Sequence, residues 1–187
     1  MEATIRTLPH YFPELFVQRL IISAILLAVL CVVSVLLFFC KKINTAQFIG
    51  LLILSAYTIA LFYYTVFGRY SHEEYTRQIH IYVSYKYLFE HFGPQSLRQV
   101  VLNIVMLIPF GILMPIVIKA KRKYLITFLS AFALILFIES MQLIMQCGTF
   151  EVDDIINNLL GTAIGMLLFA LAHSVYIRVK SKNNVVD

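Results

Sequence analysis

Charge is scarce in this chain of 187 residues: 13% are Asp, Glu, Lys or Arg, against about 25% in a soluble globular protein. Fifteen basic and ten acidic residues cannot clothe a soluble domain of this length, which excludes a soluble enzyme and a disordered chain. Tryptophan is absent, so tyrosine has to supply any aromatic belt at a membrane surface. There are three cysteines and no C-x-x-C; a disulfide framework is excluded, and zinc or thiol redox chemistry has no support. Also missing are a Ser/His/Asp triad, a Walker loop and a histidine-based zinc motif. What fills the chain is apolar, with 60% of residues in the set AVILMFWYC. It reads as an integral membrane protein. The net charge of +5 does not point to nucleic acid, because the basic residues sit in short clusters between apolar runs, as topology signals do.

Crossing about 30 Å of hydrocarbon takes roughly 20 helical residues. Five runs qualify, at about 17–39, 48–67, 100–118, 124–145 and 155–179. No repeat or linker separates them, so residues 1–187 read as one transmembrane domain, an all-α bundle of five helices. Lys41 and Lys42, the cluster from Lys119 to Lys123, and Arg178, Lys180 and Lys182 fall where an alternating chain returns to one side. By the positive-inside rule that side is the cytoplasm. The loop from Cys147 to Asp154 holds three acids and no base, and it is placed outside together with the long segment 68–99. The amino terminus then faces out and the carboxyl terminus faces the cytoplasm. The outer segment crowds Tyr70, Tyr75, Tyr82, Tyr85 and Tyr87 with His72, His80 and His91. It is expected to be partly helical and to lie on the surface, with interfacial histidines rather than metal ligands.

Against this apolar background a few polar residues stand out. Glu139 lies inside the fourth run, where an acid at the centre of a span costs roughly 2.5–3.5 kcal/mol. Gln142 follows three residues later on the same helical face. Asn103 opens the third run, in which Pro109 and Pro115 predict a kinked or broken helix. The fifth run begins with Glu151, Asp153, Asp154, Asn157 and Asn158, and continues into Gly161 and Gly165. That small-residue pair is a G-x-x-x-G contact surface, available to a neighbouring helix or to a second copy of the chain. Asp153 and Asp154 also suit a helix start, where carboxylates cap amides and meet the positive dipole end. Arg69 ends the second run. Orientation alone thus brings Arg69, Asn103, Glu139, Gln142, Asp154 and Asn158 to one depth, from four spans. Each has an ordinary structural use: amides bond helices for about 0.6–2 kcal/mol, and an arginine can snorkel to the head groups. Their convergence favours a functional cavity instead, the default for intramembrane ionisable groups.

These residues fall in spaced blocks. Thr65 and Arg69 form T-x-x-x-R; Asn103, Pro109 and Gly111 form N-x-x-x-x-x-P-x-G; Glu139 and Gln142 form E-x-x-Q; Phe150, Glu151, Asp153, Asp154, Asn158 and Gly161 form an acidic block. In this order, across residues 57–167, the chain resembles the VanZ-like family of small bacterial membrane proteins. Glu151 stands where that family usually has Asp, and the stretch from Cys147 to Thr149 lacks an arginine found in many relatives. The resemblance implies a multi-pass protein of the bacterial cytoplasmic membrane, associated with low-level resistance to teicoplanin and related lipoglycopeptides.

The leading expectation is a recognition protein that needs no cofactor. An outward-opening polar cavity lined by Arg69, Asn103, Glu139, Gln142, Asp153, Asp154 and Asn158 would engage a lipid-anchored glycopeptide or a lipid-linked envelope molecule. Arg69 would meet a carboxylate or phosphate, and the acids would meet amines, amides or hydroxyls. The alternative is a membrane hydrolase or transferase acting on lipid-linked cell-wall or polysaccharide precursors. In that case Glu139 and Asp154 are the candidate acid–base groups, and Glu151, Asp153 and Asp154 the candidate ligands for magnesium or manganese. A small transporter is a third reading, which would require the chain to dimerise.

Overall fold

The computed structural model describes residues 8–67, 79–80, 94–145, 147 and 150–183. Five helices are long and apolar enough to cross a membrane. They are α1 (Leu8–Phe39), α2 (Thr45–Phe62, prolonged by a π-helical turn at Tyr63–Phe67), α3 (Pro94–Val117), α4 (Lys123–Ile144) and α5 (Val152–Asn183). Their spans cover the apolar runs to within one residue at the ends of α3 and α4, and α1, α2, α3 and α5 begin several residues ahead of them. Asn44 accepts the Gln47 N–H at 2.9 Å while the Gln47 side chain accepts the Asn44 N–H at 3.1 Å. This capping box starts α2 ahead of its apolar run. At the other side of the same link Lys41 has φ 54°, and the Lys42 N–H donates to the Leu37 carbonyl at 3.0 Å. That left-handed closure ends α1.

A parallel pairing of two short strands, β1 (Ile79–His80) and β2 (Phe150–Glu151), joins the long segment to the start of α5, with Ile79 opposite Phe150 and His80 opposite Glu151. The all-α expectation holds for the bundle but missed this bridge, because two-residue strands leave no alternation to read. Arg69, with Tyr70, Tyr75, Tyr82, Tyr85, Tyr87, His72 and His91, lies outside the described residues, and the expectation of a partly helical, surface-lying segment falls there with them.

Of the kink or break expected in the third run, the break does not occur. Helix α3 continues through both Pro109 and Pro115. Pro109 leaves the Val105 carbonyl without its helical donor, and the Tyr57 hydroxyl of α2 donates to the next carbonyl along, that of Met106.

Helices α3 and α5 run parallel and form the tightest seam. An added methyl at Gly161 would overlap the Ile104 carbonyl, and one at Gly165 the Ile108 carbonyl; one at Gly111 would overlap the Thr162 carbonyl. Only glycine lets the backbones meet at this distance. The G-x-x-x-G surface is therefore occupied within the chain, and a second copy would have to use another face. Leu107, Ala131, Ile135, Ile138 and Ile155 fill the core beside the seam. Helix α1 is peripheral: 6% of its span is buried, against 28–33% in the other four. The Lys119 ammonium donates to the Lys42 carbonyl at 2.9 Å, so the basic links gather at one end of the bundle. The polar residues gather at the other.

Candidate functional site

Four elements converge at the polar end. In α2 the π-helical turn contains Thr65, whose hydroxyl donates to the Leu61 carbonyl at 2.8 Å. A π turn shifts backbone bonding by one residue and is frequent at functional sites. Here the Thr65 carbonyl accepts from the Gln142 side-chain amide of α4 at 3.1 Å. One turn back along α4, Glu139 is 3% exposed, and its Oε2 accepts the Glu151 N–H at 3.3 Å. The backbone of the acidic block thus folds down onto the buried acid. Cys147 continues that turn, its N–H donating to the Gln142 carbonyl at 3.0 Å.

Asp154 lies in the first turn of α5, where the helix dipole favours a carboxylate. Its Oδ1 accepts from the Asn103 side chain of α3 at 2.5 Å. One turn later the Asn158 side-chain amide donates back to the Asp154 carbonyl at 2.7 Å. The Thr162 hydroxyl donates to the Asn158 carbonyl at 3.1 Å. Asn158 is 3% exposed, and its side-chain oxygen is buried with no hydrogen-bond partner among the described residues. A buried acceptor left in this state is costly, and a water or another donor in the adjoining space would serve it.

These side chains enclose a chamber of about 40 Å³, lined by Thr65, Asn103, Glu139, Gln142, Asp154 and Asn158 over an apolar floor that includes Leu107 and Ile135. At 10–15 Å³ for each water-sized occupant, it admits a few waters or one ammonium or hydroxyl group. A larger wedge between α2 and α3 adjoins it and shares Thr65, Asn103 and Met106 as a common wall.

Five of the seven residues expected from sequence therefore line one chamber: Asn103, Glu139, Gln142, Asp154 and Asn158. Asp153 does not. It is 1% exposed, but one residue along a helix turns its side chain about 100° from that of Asp154. Arg69 lies outside the described residues. Glu151 turns outward, with Oε2 accepting from Gln99 at 3.4 Å. Among the described residues no group of three His, Cys, Asp or Glu side chains is arranged to hold a metal, so the conditional set Glu151, Asp153 and Asp154 is not assembled there. Thr65 was absent from the expected set. Threonines in membrane helices usually satisfy themselves on the preceding turn, as this one does, and Thr65 lies within the π turn that borders the chamber.

The fold and the chamber define a multi-pass α-helical membrane protein with a carboxylate- and amide-lined pocket at one end of its bundle. The family model described as VanZ/LLP1 matches residues 25–173, most of the chain, and the chain belongs to that family. No curated protein and no solved structure is a match to it.

Proposed function

We propose that the chamber is the recognition site through which this VanZ-like protein engages a lipid-anchored glycopeptide or a lipid-linked envelope molecule, at the outer face of the bacterial cytoplasmic membrane. The basic end is taken as cytoplasmic by the positive-inside rule, which leaves the amino terminus outside and the chamber facing out. The associated trait is low-level protection against teicoplanin and related lipoglycopeptides. Most of such a ligand stays outside a space of about 40 Å³; only one amine or hydroxyl enters.

The supporting observation is the Asn158 side-chain oxygen, buried without a partner in a chamber that also holds Glu139 and Asp154. All three present oxygen, so the chamber asks for a donor, and charge-assisted bonds to an ammonium group are the stronger kind. An acyl tail left in the membrane adds about 0.8 kcal/mol per methylene, which is the physical basis for preferring ligands that carry one.

The test is drug susceptibility in a sensitive Gram-positive host. Wild type, Glu139→Gln and Asp154→Asn are compared against teicoplanin and vancomycin at matched membrane levels. The expected result is teicoplanin-selective protection by wild type that both substitutions abolish. Absence of protection from well-expressed wild type would remove the lipoglycopeptide and leave lipid-linked precursors as the ligand to examine.

A further inference from the structure

The wedge beside the chamber has a different chemistry. At the basic end α2 and α3 are close: the Gln47 side chain donates to the Val117 carbonyl at 2.8 Å, and an added methyl at Gly50 would meet the Ile116 side chain at 3.2 Å. Toward the polar end the two helices part. The hydrogen bond from Tyr57 to Met106 spans the gap. Beyond it lies a space of about 720 Å³, bounded by Ala60 and Tyr64 on α2 and by Leu102 and Val105 on α3. That volume is within the roughly 300–1,000 Å³ of ordinary ligand sites. From Met106 to Arg98 the helix rises roughly 12 Å, the outer part of one leaflet.

Tyr64 is 79% exposed, and Leu102 and Val105 are each 52% exposed. In a bilayer a cleft with such walls is filled by hydrocarbon, because nothing polar would be paired there. Among the described residues the one charged side chain on the wedge is that of Arg98, at the membrane-surface end of α3, and no hydrogen bond or ion pair among them engages it. A guanidinium free to form a two-pronged contact matches a phosphate. We propose that the wedge binds an anionic phospholipid, with its phosphate on Arg98 and an acyl chain between α2 and α3. The bound lipid would also close the chamber's shared wall at Thr65, Asn103 and Met106. The proposal uses none of the chamber's carboxylates and stands apart from the reading of its ligand.

The experiment uses the purified full-length protein, equilibrated with equal amounts of phosphatidylglycerol and phosphatidylcholine, and counts retained lipid by native mass spectrometry. Wild type is expected to retain phosphatidylglycerol in about fivefold excess, the scale set by one basic group at an anionic surface. Arg98→Gln should bring that ratio to about one, and Ala60→Phe should remove retention of both lipids. Equal retention by wild type, or an unchanged ratio in Arg98→Gln, would overturn the proposal. A photoactivatable phosphatidylglycerol on wild type keeps the test independent of how the variants fold. Labelling within residues 57–65 and 98–106 is expected; labelling confined to other segments would overturn it.

Discussion

Helix α3 has two very different faces. Toward α5 it is sealed, with Gly161 and Gly165 held against the Ile104 and Ile108 carbonyls. Toward α2 it packs near Gly50 and accepts the Tyr57 hydrogen bond, then parts to leave a wedge. The bilayer exerts no hydrophobic pressure between helices, so small residues and hydrogen bonds decide where they meet. Where glycines align on both helices there is no space to fill. Where tyrosines stand instead, space opens, and the chamber lies between the sealed face and the open one.

The strongest way to break this contrast is Gly161→Ala. Its methyl would overlap the Ile104 carbonyl, and backbone cannot swing aside, so the loss should reach or exceed the upper end of the roughly 1–3 kcal/mol typical of overpacking. Denaturant or thermal unfolding in detergent measures it. Next come the bonds that cross the chamber. Gln142→Leu strips the Thr65 carbonyl of its donor, and Asp154→Ala strips the Asn103 amide of its acceptor. Each should lower stability by about 1–3 kcal/mol, the penalty for an orphaned buried group. Gly50→Ala is the comparison for the first variant: its methyl meets a side chain at 3.2 Å, a neighbour that can yield, and a loss below about 1 kcal/mol is expected. A loss equal to that of Gly161→Ala would erase the distinction between the faces. Ala60→Leu, pointing into the wedge, should leave the unfolding midpoint within about 0.5 kcal/mol of wild type.

Much of this arrangement was legible in the sequence, because the membrane restricts what polar groups can do. Glu139, Gln142, Asn103, Asp154 and Asn158 were conspicuous in apolar runs, and span direction alone set them at one level. Asp153 was misread because its neighbour shares its chemistry; the 100° turn between adjacent helical residues decides which of them reaches the chamber. The π turn at Tyr63–Phe67 left no signature, so Thr65, noticed in the T-x-x-x-R block, was not counted among the site residues. The wedge was illegible for another reason. It is lined by Tyr57 and Tyr64, and tyrosines in a span read equally well as core or as lipid-facing residues. Gly161 and Gly165 announced a close contact but not the partner, which proved to be α3 of the same chain.

Asn158→Leu tests the central claim most directly, with unfolding stability and teicoplanin susceptibility measured on the same variant. If the unpartnered oxygen is kept for a ligand, removing it should leave the fold as stable or raise stability by about 1–3 kcal/mol, while protection is lost. Stability that falls in step with protection would contradict the claim, since Asn158 would then serve only to hold the helices together.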